Sequence, residues 1–332
     1  QEKRPGLHVI AAGSLLEFAL QELHSFGVGR IDNLFMFPLS FVEFLIGMGE
    51  EKLHHMITNH GFDNPLPVAF HEKLLSYLRK FLILGGLPEV VHSFSESQDY
   101  LKAQRILDRL ITGYEDDFAK YKKRVPVSRL REVFRYTVFQ SGKKFIASKA
   151  SESSNQMQIK EALDLLEMAG LVYRVQHTAA NGMPIGAEVN PKNFKVILFD
   201  HGIFQRILGL QLSGYLIEKD FSLINKGNLA EQFAGTEILK NQFSNARPQL
   251  YYWHREKRGS SAEVDFLVQT NQQIIPLEVK SGAQGKMQSL RIFMKEKQIN
   301  RGIRISSENF GHYDNIQVLP LYAISRLFPL TT

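Results

Sequence analysis

The sequence predicts a multidomain chain, α/β and α mixed, and three observations predict it. The 332 residues are more than one average domain holds. Apolar runs of strand length lie towards both ends, next to helix-spaced apolar residues, whereas residues 51–120 keep helical spacing almost throughout. A basic window, residues 121–180, carries eleven Lys and Arg against five Asp and Glu, which sets a middle portion apart.

Residues 1–50 read as strand, helix, strand, helix. The apolar run of residues 8–12 leads through Gly13-Ser14 into a helix over 15–23, and a second strand is expected at 31–37. A strand like the first sits inside a parallel sheet and needs neighbours. The reading therefore expects a sheet whose other strands precede this stretch. Ser40, with Glu43 three residues on, has the spacing of a capping box. In residues 51–120, Leu74, Leu75, Leu78, Phe81 and Leu82 share one helix side, and Gly85-Gly86-Leu87-Pro88 ends that helix. Leu101, Ile106, Leu110 and Ile111 mark another.

Residues 121–180 read as a winged helix. Helices are expected at 129–140 and 146–152, and Ile159, Leu163 and Leu166 stripe a third. Gly170 then opens an apolar strand, as a winged helix passes into its wing. A turn-rich connection holds Asn181-Gly182, Pro184 and Pro191, and residues 194–200 form a strand. The last unit reads helix 229–243, strands 249–255, 262–269 and 273–279, helix 284–297, and strands 302–306 and 316–319. The expected divisions are 1–50, 51–120, 121–180 and 190–328.

Composition bounds the function. With 44% hydrophobic and 22% charged residues the chain can build an ordinary core. Its net charge of +6 permits a nucleic-acid partner without demanding one. The absence of cysteine excludes disulfides, thiolate zinc sites and cysteine nucleophiles. A cysteine-free chain fits a cytoplasmic setting, and since no apolar run nears the ~18 residues of a membrane span, no membrane partner is expected.

The chemistry concentrates in "AEVDFLVQTNQQIIPLEVKSG". Alternation puts Ala262, Val264, Phe266 and Val268 on one face of a strand, with Glu263 and Asp265 on the other. Glu278 and Lys280 share a face of the next strand, so a hairpin brings Asp265 beside Glu278. Two converging carboxylates suit Mg²⁺, which takes oxygen ligands. Lys280 would then position a water or neutralise transition-state charge, and Glu231 on the preceding helix adds a third carboxylate. The other reading is two ordinary strands with a surface ion pair between Asp265 and Lys280. The order helix with Glu, strand with Asp, strand ending Glu-x-Lys, then basic helix is that of the PD-(D/E)XK, or restriction-endonuclease-like, fold.

The chain as a whole resembles ATPases that join an AAA-type domain to a C-terminal domain of unknown function with such a core. The matching pieces run in order: "HVIAAGSLLEF", "GRIDNLFMFPLSFVEFL", "GGLPEVV", "YEDDFAKY", "LLEMAGLVYRV", "KVILFDHGIF", "KGNLAEQFAGTEIL", "AEVDFLV" and "IIPLEVKSG". The resemblance implies that residues 1–50 are the remnant of a P-loop ATPase sheet. Ser14 would lie near the γ-phosphate and Arg30 would be a sensor or finger arginine. The sequence holds no G-x-x-x-x-G-K-[ST], so ATP is expected to bind the family's longer chain and not this stretch. The expected partners are DNA, the ATPase region itself and a second copy of the chain. The functional expectation is a winged-helix and nuclease-like portion of an AAA-type ATP-binding protein that handles nucleic acid. An active Mg²⁺-dependent nuclease and a protein–protein module are the alternatives.

Phosphate contact is expected from Lys122, Lys123, Arg124, Lys143 and Lys144, and from Lys286 and Arg291 beside the carboxylates. The third helix of the winged helix carries Glu161, Asp164 and Glu167 and is a poor base reader. His54, His55, His60 and His71 have no metal-motif spacing and read as a solvated helix. Asp116 and Asp117 read as an exposed acidic turn.

Overall fold

A computed structural model describes residues 6–13, 32–121, 124–151, 155–210, 228–255, 262–270, 273–280 and 287–328. Ser14, Arg30, Lys122, Lys123, Lys286 and the expected helix over 15–23 lie outside the described residues. The chain is a mixed α/β molecule. A helical portion comprises α1 (Phe41–Gly47), α2 (Glu51–Asn59), α3 (Val68–Leu84), α4 (Pro88–Ser97) and α5 (Tyr100–Asp117). It leads to α6 (Val127–Gln140), a short 3₁₀ turn at Ala147–Lys149, and α7 (Gln156–Met168). Then come β1 (Val172–Thr178), β2 (Val189–Leu198), α8 (His201–Ile207) and α9 (Asn228–Lys240). The rest is β3 (Leu250–His254), β4 (Glu263–Gln269), β5 (Ile274–Val279), α10 (Gln288–Glu296), β6 (Gly302–Ser306), β7 (Gly311–Tyr313) and β8 (Ile316–Pro320).

The strands form one sheet in the order β2-β1-β3-β4-β5-β6-β8-β7. The hairpins β1–β2, β3–β4, β4–β5 and β7–β8 are antiparallel, and β1–β3, β5–β6 and β6–β8 are parallel. The helix α10 joins β5 to β6, as a parallel crossover requires.

Helix α9 is buried nearly all round, its polar Gln232, Thr236 and Glu237 included with Leu229, Phe233, Ala234, Ile238 and Leu239, as befits a helix with protein on all sides. Gly235 lets it approach the sheet: a Cβ there would lie 2.8 Å from Ile197 Cδ1 and 3.0 Å from the Phe266 ring. At its far end Glu237 Oε2 accepts from the Phe41 amide at 3.0 Å, and Lys240 Nζ donates to the Leu39 carbonyl at 3.0 Å. The Glu237 bond serves an orphan amide at the start of α1, where Ser40 and Glu43 form the expected capping box. One core joins the helical portion to the α9 face of the sheet through Phe41, Phe81, Leu130, Phe233 and Phe266. A second lies under α10, through Trp253, Val264, Leu267 and Phe293.

Several expectations are corrected. Residues 8–12 pair with no strand among the described residues, and Ile10 is 96% exposed. An apolar run becomes a strand only where a partner ladder takes up its backbone groups. Residues 32–37 are irregular, tied by the Phe35 amide to the Ser244 carbonyl at 2.8 Å. The second winged-helix helix shrinks to the 3₁₀ turn. No line near residues 180–190 divides the sheet, because β1 pairs with β2 on one side and β3 on the other. Asp116 is exposed as expected, but Asp116 and Asp117 close the helix α5 instead of forming a turn, and their neighbour Glu115 is buried against Arg131 and Arg135. His71 is half-buried and bonds the Tyr322 hydroxyl at 2.7 Å.

Candidate functional site

A register shift in β4 shapes the site. Along β3 the pairing moves two residues, from Trp253 to Tyr251, while along β4 it moves three, from Val264 to Leu267. The extra residue falls in the span holding Asp265, and bulges of this kind re-aim a side chain. The strict alternation expected here is therefore broken. Val264 joins the core under α10, and Phe266 joins the core of α9. The paired ladder between β4 and β5 ends at Phe266 and Leu277. One step beyond, the Val279 amide donates to Asp265 Oδ2 at 2.8 Å. Asp265 thus sits where the two strands part, beside Glu278.

The predicted residues come together there. Lys280 Nζ lies 2.6 Å from Glu278 Oε1, and Glu231 comes in from the first turn of α9. Lys280 pairs with Glu278, not with Asp265 as the plain-hairpin reading had it. The residue that sequence reasoning missed is Lys195 of β2. Its ammonium is 2.8 Å from Glu231 Oε1, 2.6 Å from Glu263 Oε1 and 4.0 Å from Asp265 Oδ1. It also lies over the Tyr252 ring, 5.1 Å from the centroid, and is 1% exposed. The available signal was a single cation in the otherwise apolar run "FKVILF", since a lysine is almost never fully buried unless paired.

Burial sets the electrostatics. It pushes Glu231 up to about 8, against the pull of Lys195. It raises Asp265 too, against the same lysine. Glu278 goes up to about 7 through burial and then through the Asp265 carboxylate. Burial disfavours the Lys195 charge, but Glu231, Asp265 and Glu263 outweigh it and hold the ammonium above the ordinary lysine range. Lys280 is likewise raised, with Glu278 overcoming burial. Both lysines therefore remain charged and act as donors.

A divalent ion needs oxygens free to face it. Three of the carboxylates surround Lys195, and Asp265 Oδ2 is also engaged by Val279. Glu278 Oε2 is buried without a hydrogen-bond partner, and is one free oxygen. Among the described residues no group of three or more His, Asp or Glu side chains is placed to hold a metal. As they stand, the residues do not fit a metal bound at Asp265.

A basic loop borders the site. Gln232, next to Glu231 on α9, accepts from Ser141 Oγ at 3.0 Å and from the Leu198 amide at 2.9 Å, and donates to the Leu198 carbonyl at 2.7 Å. This clamp places Gly142 against Glu231: a Cβ on Gly142 would lie 2.6 Å from Glu231 Oε2, and its φ of +76° suits glycine. Lys143 and Lys144 follow, both exposed, and Lys144 forms an isolated bridge with Lys195. Part of the basic window is neutralised within the fold. Arg129 pairs with Glu132, and Arg174 with Asp164 and Glu167 of α7. Arg124 is exposed, and Arg291 is 3.2 Å from Asp314.

Two family models match the chain. A domain of unknown function (DUF8612) matches residues 75–213, and a domain of unknown function (DUF4143) matches residues 226–324. The first match holds Lys195 and the loop of Lys143 and Lys144, and the second holds Glu231, Asp265, Glu278 and Lys280. No curated protein and no solved structure matches the chain.

Proposed function

We propose that this chain handles nucleic acid through a nuclease-type core that grips the phosphodiester backbone without cutting it. The element order α9-β3-β4-β5-α10-β6 supports a restriction-endonuclease-like core. The resemblance to ATPases with a C-terminal domain of unknown function fits the match over residues 226–324, and suggests that the module serves an AAA-type protein. The observation that carries the reading is the Gln232–Ser141 hydrogen bond, which seats Gly142 against Glu231. It fixes two free, exposed lysines at the mouth of a buried acid–lysine set. Exposed lysines beside a site whose own cations stay charged suit a run of phosphates.

Fluorescence anisotropy with labelled single- and double-stranded DNA tests this. Binding is expected at low salt and should weaken as log[salt] rises, with a slope of about −0.7 to −0.9 per phosphate contacted. The double variant Lys143→Glu/Lys144→Glu should lose affinity by about tenfold or more and flatten that slope by roughly two contacts. Absence of binding by the wild type at low salt would sink the reading and leave a protein–protein role. The free Oε2 of Glu278 favours one second reading, a Mg²⁺-dependent nuclease. Cleavage of the same DNA on adding Mg²⁺, lost in Lys280→Ala, would establish that instead.

A further inference from the structure

The buried lysine is the unexplained member of the site. A nuclease-type core needs one lysine, which Lys280 supplies just past the end of β5. Lys195 is a second, and it comes from a strand outside the α9-to-β6 unit. We propose that Lys195 is the resident cation of this site, occupying the position among Glu231, Glu263 and Asp265 that a divalent metal would otherwise take. The proposal rests on the nuclease-type reading of the acidic set and explains why that set would bind without cutting.

The geometry carries it. Two carboxylate oxygens lie 2.6 and 2.8 Å from Lys195 Nζ, and a third lies at 4.0 Å. A Mg²⁺ ion sharing those oxygens at about 2.1 Å would stand within a few ångströms of the ammonium, and the repulsion is weakly screened on the side of Lys195, Glu231 and Asp265, while Glu263 reaches solvent. Tyr252 closes the lysine in from another side, and its strand is anchored at both ends of the contact. The Leu198 amide and carbonyl bond Gln232, and Phe194 O accepts from the Phe145 amide at 2.9 Å. The ammonium therefore stays put, and being held protonated it is not a proton acceptor. Its role is electrostatic: it neutralises the carboxylates and closes the site to metal.

The test is calorimetric titration of the full chain with MnCl₂, joined to thermal unfolding with and without Mn²⁺, all in the absence of nucleic acid. The wild type should show no saturable binding at the site. Lys195→Met should unfold at a lower temperature, regain stability with Mn²⁺ and bind it at least about tenfold more tightly than the wild type. Adding Glu231→Gln to that variant should remove the gain. If Lys195→Met is unfolded without metal, recovery of its far-UV circular dichroism on adding Mn²⁺ is the same gain. Two results overturn the proposal: saturable Mn²⁺ binding by the wild type that Asp265→Asn abolishes, or no gain and no recovery in Lys195→Met. Since no arm uses DNA, failure of the DNA-binding reading is seen separately.

Discussion

His201 is enclosed completely at the start of α8, with its Nε2 donating to the Phe81 carbonyl at 2.8 Å and its ring edge-on to Phe81 and Phe233. Burial pushes it down to about 4, with the nearby Asp200 charge opposing and Lys240 assisting. The unfolded chain thus binds a proton that the native chain does not, between the ordinary histidine range and pH 4. The stability this histidine contributes is whole above about pH 6.5 and is lost as pH falls through that window, by roughly 3 kcal/mol. The raised carboxylates Glu231 and Glu278 have the opposite sign, so the histidine is isolated by difference. Urea denaturation of the wild type and of His201→Gln, from pH 7.5 to 4.5, should show their stability difference shrinking towards acid. A constant difference would mean that His201 titrates alike in the native and the unfolded chain. Histidine burial of this kind is not legible in "FDHGIF", because nothing local says that Phe81, 120 positions away, lies over it. The same holds for Lys195. Asp265, Glu278 and Lys280 were legible because two neighbouring strands bring them together, whereas Lys195 arrives through β1, which joins β2 to β3.

At the scale of elements, helices and strands with a regular pattern and a local stop were the legible ones. The strand Gly302–Ser306 and the capping box of α1 lie where the pattern puts them. The short β7, paired only with β8 at the sheet edge, had no apolar alternation to reveal it. The bulge in β4 was hidden because "AEVDFLV" alternates cleanly, and only the pairing with β3 inserts the extra residue. Two pieces far apart in sequence, "GGLPEVV" and "FDHGIF", form one contact. Asp200 caps α8 through the Ile203 amide at 2.9 Å and also accepts from the Gly86 amide at 2.8 Å. Gly202 then lies so close to the end of α3 that a Cβ would sit 2.5 Å from the Leu84 carbonyl and 2.7 Å from the Gly85 Cα. These are backbone atoms and do not swing aside as a side chain would. Gly202→Ala is therefore expected to destabilise the chain by about 1–3 kcal/mol, read as a lowered urea midpoint at unchanged slope. A neutral result would show that α8 can slide along α3.

At the scale of the molecule, the two family models meet between residues 213 and 226, yet the sheet does not stop there. The hairpin β1–β2 lies in the first match and joins β3 of the second through parallel pairs such as Val175 with Leu250 and His177 with Tyr252. The core follows the same course, running unbroken from Phe41 and Leu130 to Phe266 and Ile303. The ion pair of Lys195 with Glu231 and Glu263 crosses the same line. Sequence reading divided the chain at turn-rich segments, and it could not see a seam made of backbone hydrogen bonds, which carry no residue signature. Such a seam has a thermodynamic consequence: parts that share a sheet and a core do not unfold separately. The single tryptophan, Trp253, reports on the C-terminal part, since it lies buried in β3 with Phe293 of α10 at 5.0 Å. Far-UV circular dichroism reports mainly on the helical portion that precedes β1. In urea the two signals should therefore fall together with one midpoint. Tryptophan fluorescence changing at a distinctly different urea concentration from the helical signal would mean that the β1–β3 junction is too weak to couple the halves. The lysine on β2 would then be free to leave the carboxylates while the rest of the core stays folded.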